Sequence, residues 1–146
     1  MRTWLKRAGF VLAVAAALTI SEQRSRAIPE LALPESIAGW AIKAPQKCGP
    51  LAAAKVRVWR GTEAARRVCA AEYGGGPEFT VTVYSLPKFK GAFDALQKWR
   101  SQPGKLAFFR GPYFCVVESA KADPQALDRF TLALQRAFGP GDQFRR

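Results

Sequence analysis

Between residues 79 and 85 the chain reads FTVTVYS, so that Phe79, Val81 and Val83 share one side of an extended backbone and Thr80, Thr82 and Tyr84 the other. Alternation at a period of two marks a strand with one buried and one wetter face, and this run predicts the best-defined strand of the chain. Residues 67–73 (RVCAAEY) predict a second strand. The GGGP run at 74–77 lies between the two and can turn without a Cβ penalty, so the strands pair as a hairpin. The period then changes. Over 88–100 (KFKGAFDALQKWR), Phe89, Ala92, Phe93, Leu96 and Trp99 recur at spacings of three and four, which predicts a helix with those residues as its apolar stripe. Pro103-Gly104 ends it, and residues 105–109 (KLAFF) and 113–119 (YFCVVES) predict a second hairpin across Arg110-Gly111-Pro112. The last helix has marks at both ends. Asp123 is placed to accept hydrogen bonds from first-turn amides, Pro124 takes the first helical position, and Gly139-Pro140 stops the run. Leu127, Phe130, Leu134, Ala137 and Phe138 form its buried side.

Two hairpins, each followed by a helix, predict an α+β fold with a ββαββα core: an antiparallel sheet with its helices mainly on one face. The two halves share this architecture without residue identity, so no sequence repeat is read. Upstream, Pro29, Pro34, Pro45 and Pro50 break up residues 28–54, predicting an irregular Pro/Ala-rich lead-in with one short strand over 40–43. Residues 55–60 (KVRVWR) alternate again and predict a half-exposed strand, with Val56 and Val58 on one side and Arg57 and Trp59 on the other. The α+β core is thus expected over 55–140, with a basic tail at 141–146.

The first residues have a different pattern. Arg2, Lys6 and Arg7 precede thirteen uncharged residues, 8–20 (AGFVLAVAAALTI). A membrane-spanning helix needs about 20 apolar residues to cross roughly 30 Å of hydrocarbon, so this run suits the h-region of a signal sequence better than an anchor. Ser25 and Ala27 then occupy the −3 and −1 positions of a small-x-small cleavage site. Residues 1–27 are therefore expected to be a signal sequence, with the mature chain starting at Ile28. The alternative is an uncleaved leader holding the protein at the inner membrane. The expected address is the periplasm or cell envelope.

Composition narrows the chemistry. The chain of 146 residues carries a net charge of +12, and residues 28–146 keep 18 basic against 10 acidic side chains, or +8. A basic exported domain is drawn to anionic envelope components, whereas dispersed charge and export make nucleic acid an unsuitable partner. Three cysteines, Cys48, Cys69 and Cys115, allow one disulfide among them and leave one thiol over; none forms a C-x-x-C pair. The chain has no histidine, which excludes histidine-dependent triads, Cys-His pairs and the common zinc sites. Triple glycine at 74–76 leads into a strand, with no Lys-Ser/Thr behind it, so it does not read as a phosphate loop. No catalytic motif, metal site or cofactor is predicted. Glu72 and Glu118 take comparable places near the ends of their strands and are the carboxylates that could face each other. Trp59, Tyr84 and Tyr113, on the polar sides of their strands, could gather beside Arg57, Arg60 and Arg110 as a shallow aromatic and basic surface for a glycan, an anionic ligand or a protein.

The stretch AEYGGGPEFTVTVYSLPKFKGAFDALQKWR, the later FFRGPYFCVVES, and the upstream Leu33-Pro34 and Gly39-Trp40 resemble a family of exported bacterial proteins known as a domain of unknown function, over about residues 33–138. Its shared positions are turn and packing residues. The resemblance implies an exported α+β domain and carries no catalytic residues. The sequence thus predicts a small exported domain that binds a ligand or a protein partner without catalysis. The competing reading is a small envelope enzyme using carboxylates or a cysteine.

Overall fold

Alternating and apolar runs become six strands, β1 (Ser36–Ile37), β2 (Trp40–Pro50), β3 (Arg67–Gly74), β4 (Phe79–Ser85), β5 (Lys105–Arg110) and β6 (Tyr113–Glu118), in a computed structural model that describes residues 32–138. Among the described residues the two helices are α1 (Phe89–Lys98) and α2 (Pro124–Ala137), and a 3-10 turn covers Leu51–Ala53. The leader at 1–27, the Gly139-Pro140 stop and the tail at 141–146 lie outside the described residues. The fold is of the mixed α+β class, with one sheet in the order β1-β2-β3-β4-β6-β5 and every neighbour pair antiparallel.

The β3–β4 hairpin pairs Tyr73 with Phe79, and Gly75 and Gly76 turn the chain at φ 114° and 156°, a region open to glycine. At α2 the Asp123 carboxylate accepts from the Ala126 amide at 2.7 Å, and Pro124 needs no amide partner in the first turn.

The sheet is buried on both sides. On one side, α2 brings Leu127, Phe130 and Leu134 against Phe79, Val81, Val83, Cys115 and Val117. The Phe79 and Phe130 rings stack at 4.2 Å, and Trp40 meets both edge-on. On the other side, α1 and the 54–66 segment cover Val68, Tyr84, Phe114 and Val116 with Ala92, Ala95 and Trp59. The helices therefore occupy opposite faces, which corrects the expectation of a one-sided arrangement. The cause is visible in β6, where Tyr113 to Val117 are all buried: a strand apolar on both sides needs a cover on both sides.

Three further expectations change. The short strand at 40–43 is an eleven-residue strand reaching Pro50, with register shifts between Ile42 and Ala44 and between Ala44 and Lys47. Beyond Ile42, whose amide donates to the Glu35 carbonyl at 2.8 Å, β2 pairs with β3 alone, and an edge strand tolerates prolines because the outward amide needs no ladder partner. Residues 55–60 are not a strand. Pairing with β3 is already taken by β2, and the burial of Trp59 outweighs the local alternation. In α1 the buried residues are Ala92 and Ala95, while Phe89 and Phe93 are 46% and 42% exposed, so the covered stripe is rotated from the predicted one. Glycine at 61 lets the 54–66 segment approach so closely that the small side of α1 faces inward.

Candidate functional site

After β2 the chain makes the Leu51–Ala53 turn and then loops out over the α1 side of the sheet before returning as β3. Two devices fix this excursion. Buried Thr62 clamps Trp59: the Trp59 amide donates to Thr62 Oγ1 at 2.8 Å, and that hydroxyl donates to the Trp59 carbonyl at 2.7 Å. The Tyr84 hydroxyl donates to the Arg57 carbonyl, satisfying a polar backbone group over the core. Trp59 itself packs on Trp99 at 4.8 Å between ring centres.

Held this way, residues 53–56 form one wall of a groove whose floor is the β2–β3 ladder. Its volume is about 560 Å³, and it is lined by Gly49, Ala54, Val56, Val68 and Ala70, with Lys47 and Lys55 as its charged residues. Lys47 pairs with Ala70 across the ladder, which places it on the α1 face of the sheet; both lysines are exposed. Among the described residues neither has a carboxylate ion-pair partner, whereas Lys43 is paired with Glu78. A smaller depression of about 190 Å³, lined by Lys47, Ala70, Glu72 and Thr80 among others, adjoins the groove through the two residues they share. An apolar floor with a few charged groups at its margin is the usual form of a small-ligand site, and the volume lies within the usual range of roughly 300–1,000 Å³.

The surface expected from the sequence is divided. Arg57 lies over the Trp59 ring at 4.2 Å, with Lys105 at 5.6 Å from the same ring, so these cations crown a buried indole. Tyr84 is only 1% exposed on this face; burial pushes its phenol up to about 12, and nearby Glu118 adds a smaller upward push. Tyr113 belongs to the opposite core beneath α2, and burial also raises its phenol. Half-buried Arg110 donates from Nη1 to the Phe109 carbonyl at 3.2 Å, and Arg60 is exposed in the loop. The six residues do not make one surface, because positions 84 and 113 lie on opposite sides of the sheet. Arg57, Trp59 and Tyr84 come together on the α1 side, through the cation over the indole and the Tyr84 hydroxyl on the Arg57 carbonyl, while Arg110 and Tyr113 are partners across the β5–β6 ladder.

Glu72 and Glu118 are brought to one row of the α1 face, each opposite Thr80 on β4, with Lys105 beyond Glu118. One strand lies between them, so their backbones stand about 10 Å apart at the usual strand spacing. Glu118 does not line the depression that Glu72 borders. Among the three cysteines, Cys48 and Cys69 are joined across the β2–β3 ladder, 21 residues apart in sequence. Cys115 is a buried free thiol, and burial pushes its ionisation well up, against a smaller opposing effect of Arg110. Among the described residues no group of His, Cys, Asp and Glu side chains could hold a metal ion.

Sequence reasoning missed Lys47, Lys55 and the floor at Ala70. The available signal was Pro50, which ends a strand and separates KVRVWR from it; reading 55–60 as a strand hid the wall that those residues form. Compared with protein families, curated proteins and solved structures, the chain shows no match.

Proposed function

We propose that this protein is an exported, non-catalytic domain of the bacterial periplasm or envelope that binds an amphipathic anion in the Lys47–Lys55 groove. The observation that carries this reading is the lining: apolar side chains and backbone, two lysines, and no carboxylate. Such a site favours a compact hydrocarbon group that carries a negative head. Apolar burial supplies affinity at about 25 cal/mol per Å², and the ammonium groups set the sign of the ligand's charge. The exported address is supported by the cationic and apolar leader pattern and by the Cys48–Cys69 bridge, which suits an oxidising compartment. Among the described residues no helix is long and apolar enough to cross a membrane. The resemblance to the exported domain of unknown function points to the same address and adds no activity.

The competing enzymatic reading rests on the shared row of Glu72 and Glu118. It is less favoured, because the exposed Glu72 and half-buried Glu118 are separated by a strand and do not line a common depression. Calorimetric titration of the full chain with dodecanoate and with dodecyltrimethylammonium tests the proposal. Dodecanoate should bind and the cation should not, and the double variant Lys47→Glu/Lys55→Glu should weaken dodecanoate binding by roughly tenfold or more. Equal binding of both amphiphiles, or an unaffected double variant, contradicts it.

A further inference from the structure

The exposed aromatic side chains on α1 lie away from the groove and have no role in it. Phe89 and Phe93 are one helical turn apart and keep 46% and 42% of their surface in water. Phe93 meets the half-buried Phe109 of edge strand β5, ring centres 5.6 Å apart, so the apolar area continues from the helix onto the sheet margin. Isolated exposed apolar residues are ordinary, but adjoining rings on one element mark a contact surface. The surrounding charge is mostly positive. Over residues 88–100, Lys88, Lys90, Lys98 and Arg100 are all exposed, and the single acid, Asp94, is half-buried.

We propose that this face of α1 docks on an anionic lipid surface, with Phe89 and Phe93 entering the headgroup boundary and the flanking cations meeting lipid phosphates. A cationic helix with adjacent exposed aromatic rings has the composition of an interfacial helix, and each basic residue near an anionic bilayer adds attraction that salt screens. The same charge opposes pairing with a second copy, which would bring equal cationic borders together. The docking is independent of the groove, because none of its residues lines it.

The test is co-sedimentation of the full chain with vesicles of phosphatidylglycerol and phosphatidylcholine, and with vesicles of phosphatidylcholine alone. Binding should favour the anionic vesicles, decline as sodium chloride is raised, and fall about tenfold or more in Phe89→Ser/Phe93→Ser. Circular dichroism of that variant should match the parent, since neither side chain belongs to the buried core; a second variant, Lys88→Glu/Lys90→Glu, should weaken anionic binding without touching the rings. Anionic binding that persists undiminished in both variants overturns the proposal, including binding that depends on the leader alone. So does self-association, measured by sedimentation velocity, that disappears in Phe89→Ser/Phe93→Ser while vesicles are ignored.

Discussion

Gly61 stands at φ 95°, and a Cβ there would lie 2.8 Å from the Ala95 Cα on α1. Both the backbone conformation and the space demand glycine. Gly61→Ala should therefore cost about 2 kcal/mol or more of folding stability, read from the urea midpoint; a change under about 0.5 kcal/mol would mean that the 54–66 segment does not sit on α1 as described. Tyr73 and Tyr84 make a second residue-scale statement. Each is fully or almost fully buried, each hydroxyl donates to a backbone carbonyl, and burial pushes each phenol from 10.0 up to about 12. A phenol that holds its proton more tightly when folded stabilises the fold fully below its unfolded value. That contribution is lost as pH rises from about 10 towards 12, because the unfolded chain ionises first. The urea midpoint should thus fall across that alkaline interval, and a flat profile up to pH about 11.5 would contradict the burial of both rings.

At the scale of elements, the best-patterned runs were legible. Phe79–Ser85 is the strand its alternation predicts, and α2 begins at Asp123 and Pro124 because capping is local chemistry. Elements decided by distant partners were not legible. β2 contains two prolines and reads as irregular, yet Cys48, Gly49 and Pro50 pair with Cys69, Val68 and Arg67. An edge position, and a disulfide that ties the strand down, override its composition. The opposite error occurred at 55–60, where alternation without a free strand edge to join gave a loop wall instead. That misreading also cost the candidate site, since the groove exists only between a loop at 53–56 and a strand at 47–49. The disulfide gives this scale its prediction. Cys48→Ser/Cys69→Ser should lower stability by about 3 kcal/mol, the chain-entropy value for a loop of this size, and destabilise β2 first. Hydrogen exchange should show its amides losing protection ahead of those of β4 and β6. In the native parent, buried Cys115 should resist a thiol reagent until urea unfolds the chain; rapid native labelling would argue against its burial.

At the scale of the whole molecule, the basic charge and the Cys48–Cys69 bridge are consistent with the proposed envelope address. The chain is strongly basic, its cationic and apolar leader predicts export, and the Lys47–Lys55 groove is an apolar concavity whose charged lining residues are both lysines. Glu72 and Glu118 share a row of the α1 face, one strand apart. Export is checked by amino-terminal sequencing of the isolated protein, which should begin at Ile28. Binding in the groove is tested by an amide chemical-shift titration of the protein with dodecanoate. Saturable shifts should be confined to the strand and wall residues around Lys47, Lys55, Val68 and Ala70 and be abolished in Lys47→Glu/Lys55→Glu. Shifts centred on another surface, or none at saturating dodecanoate, would contradict it.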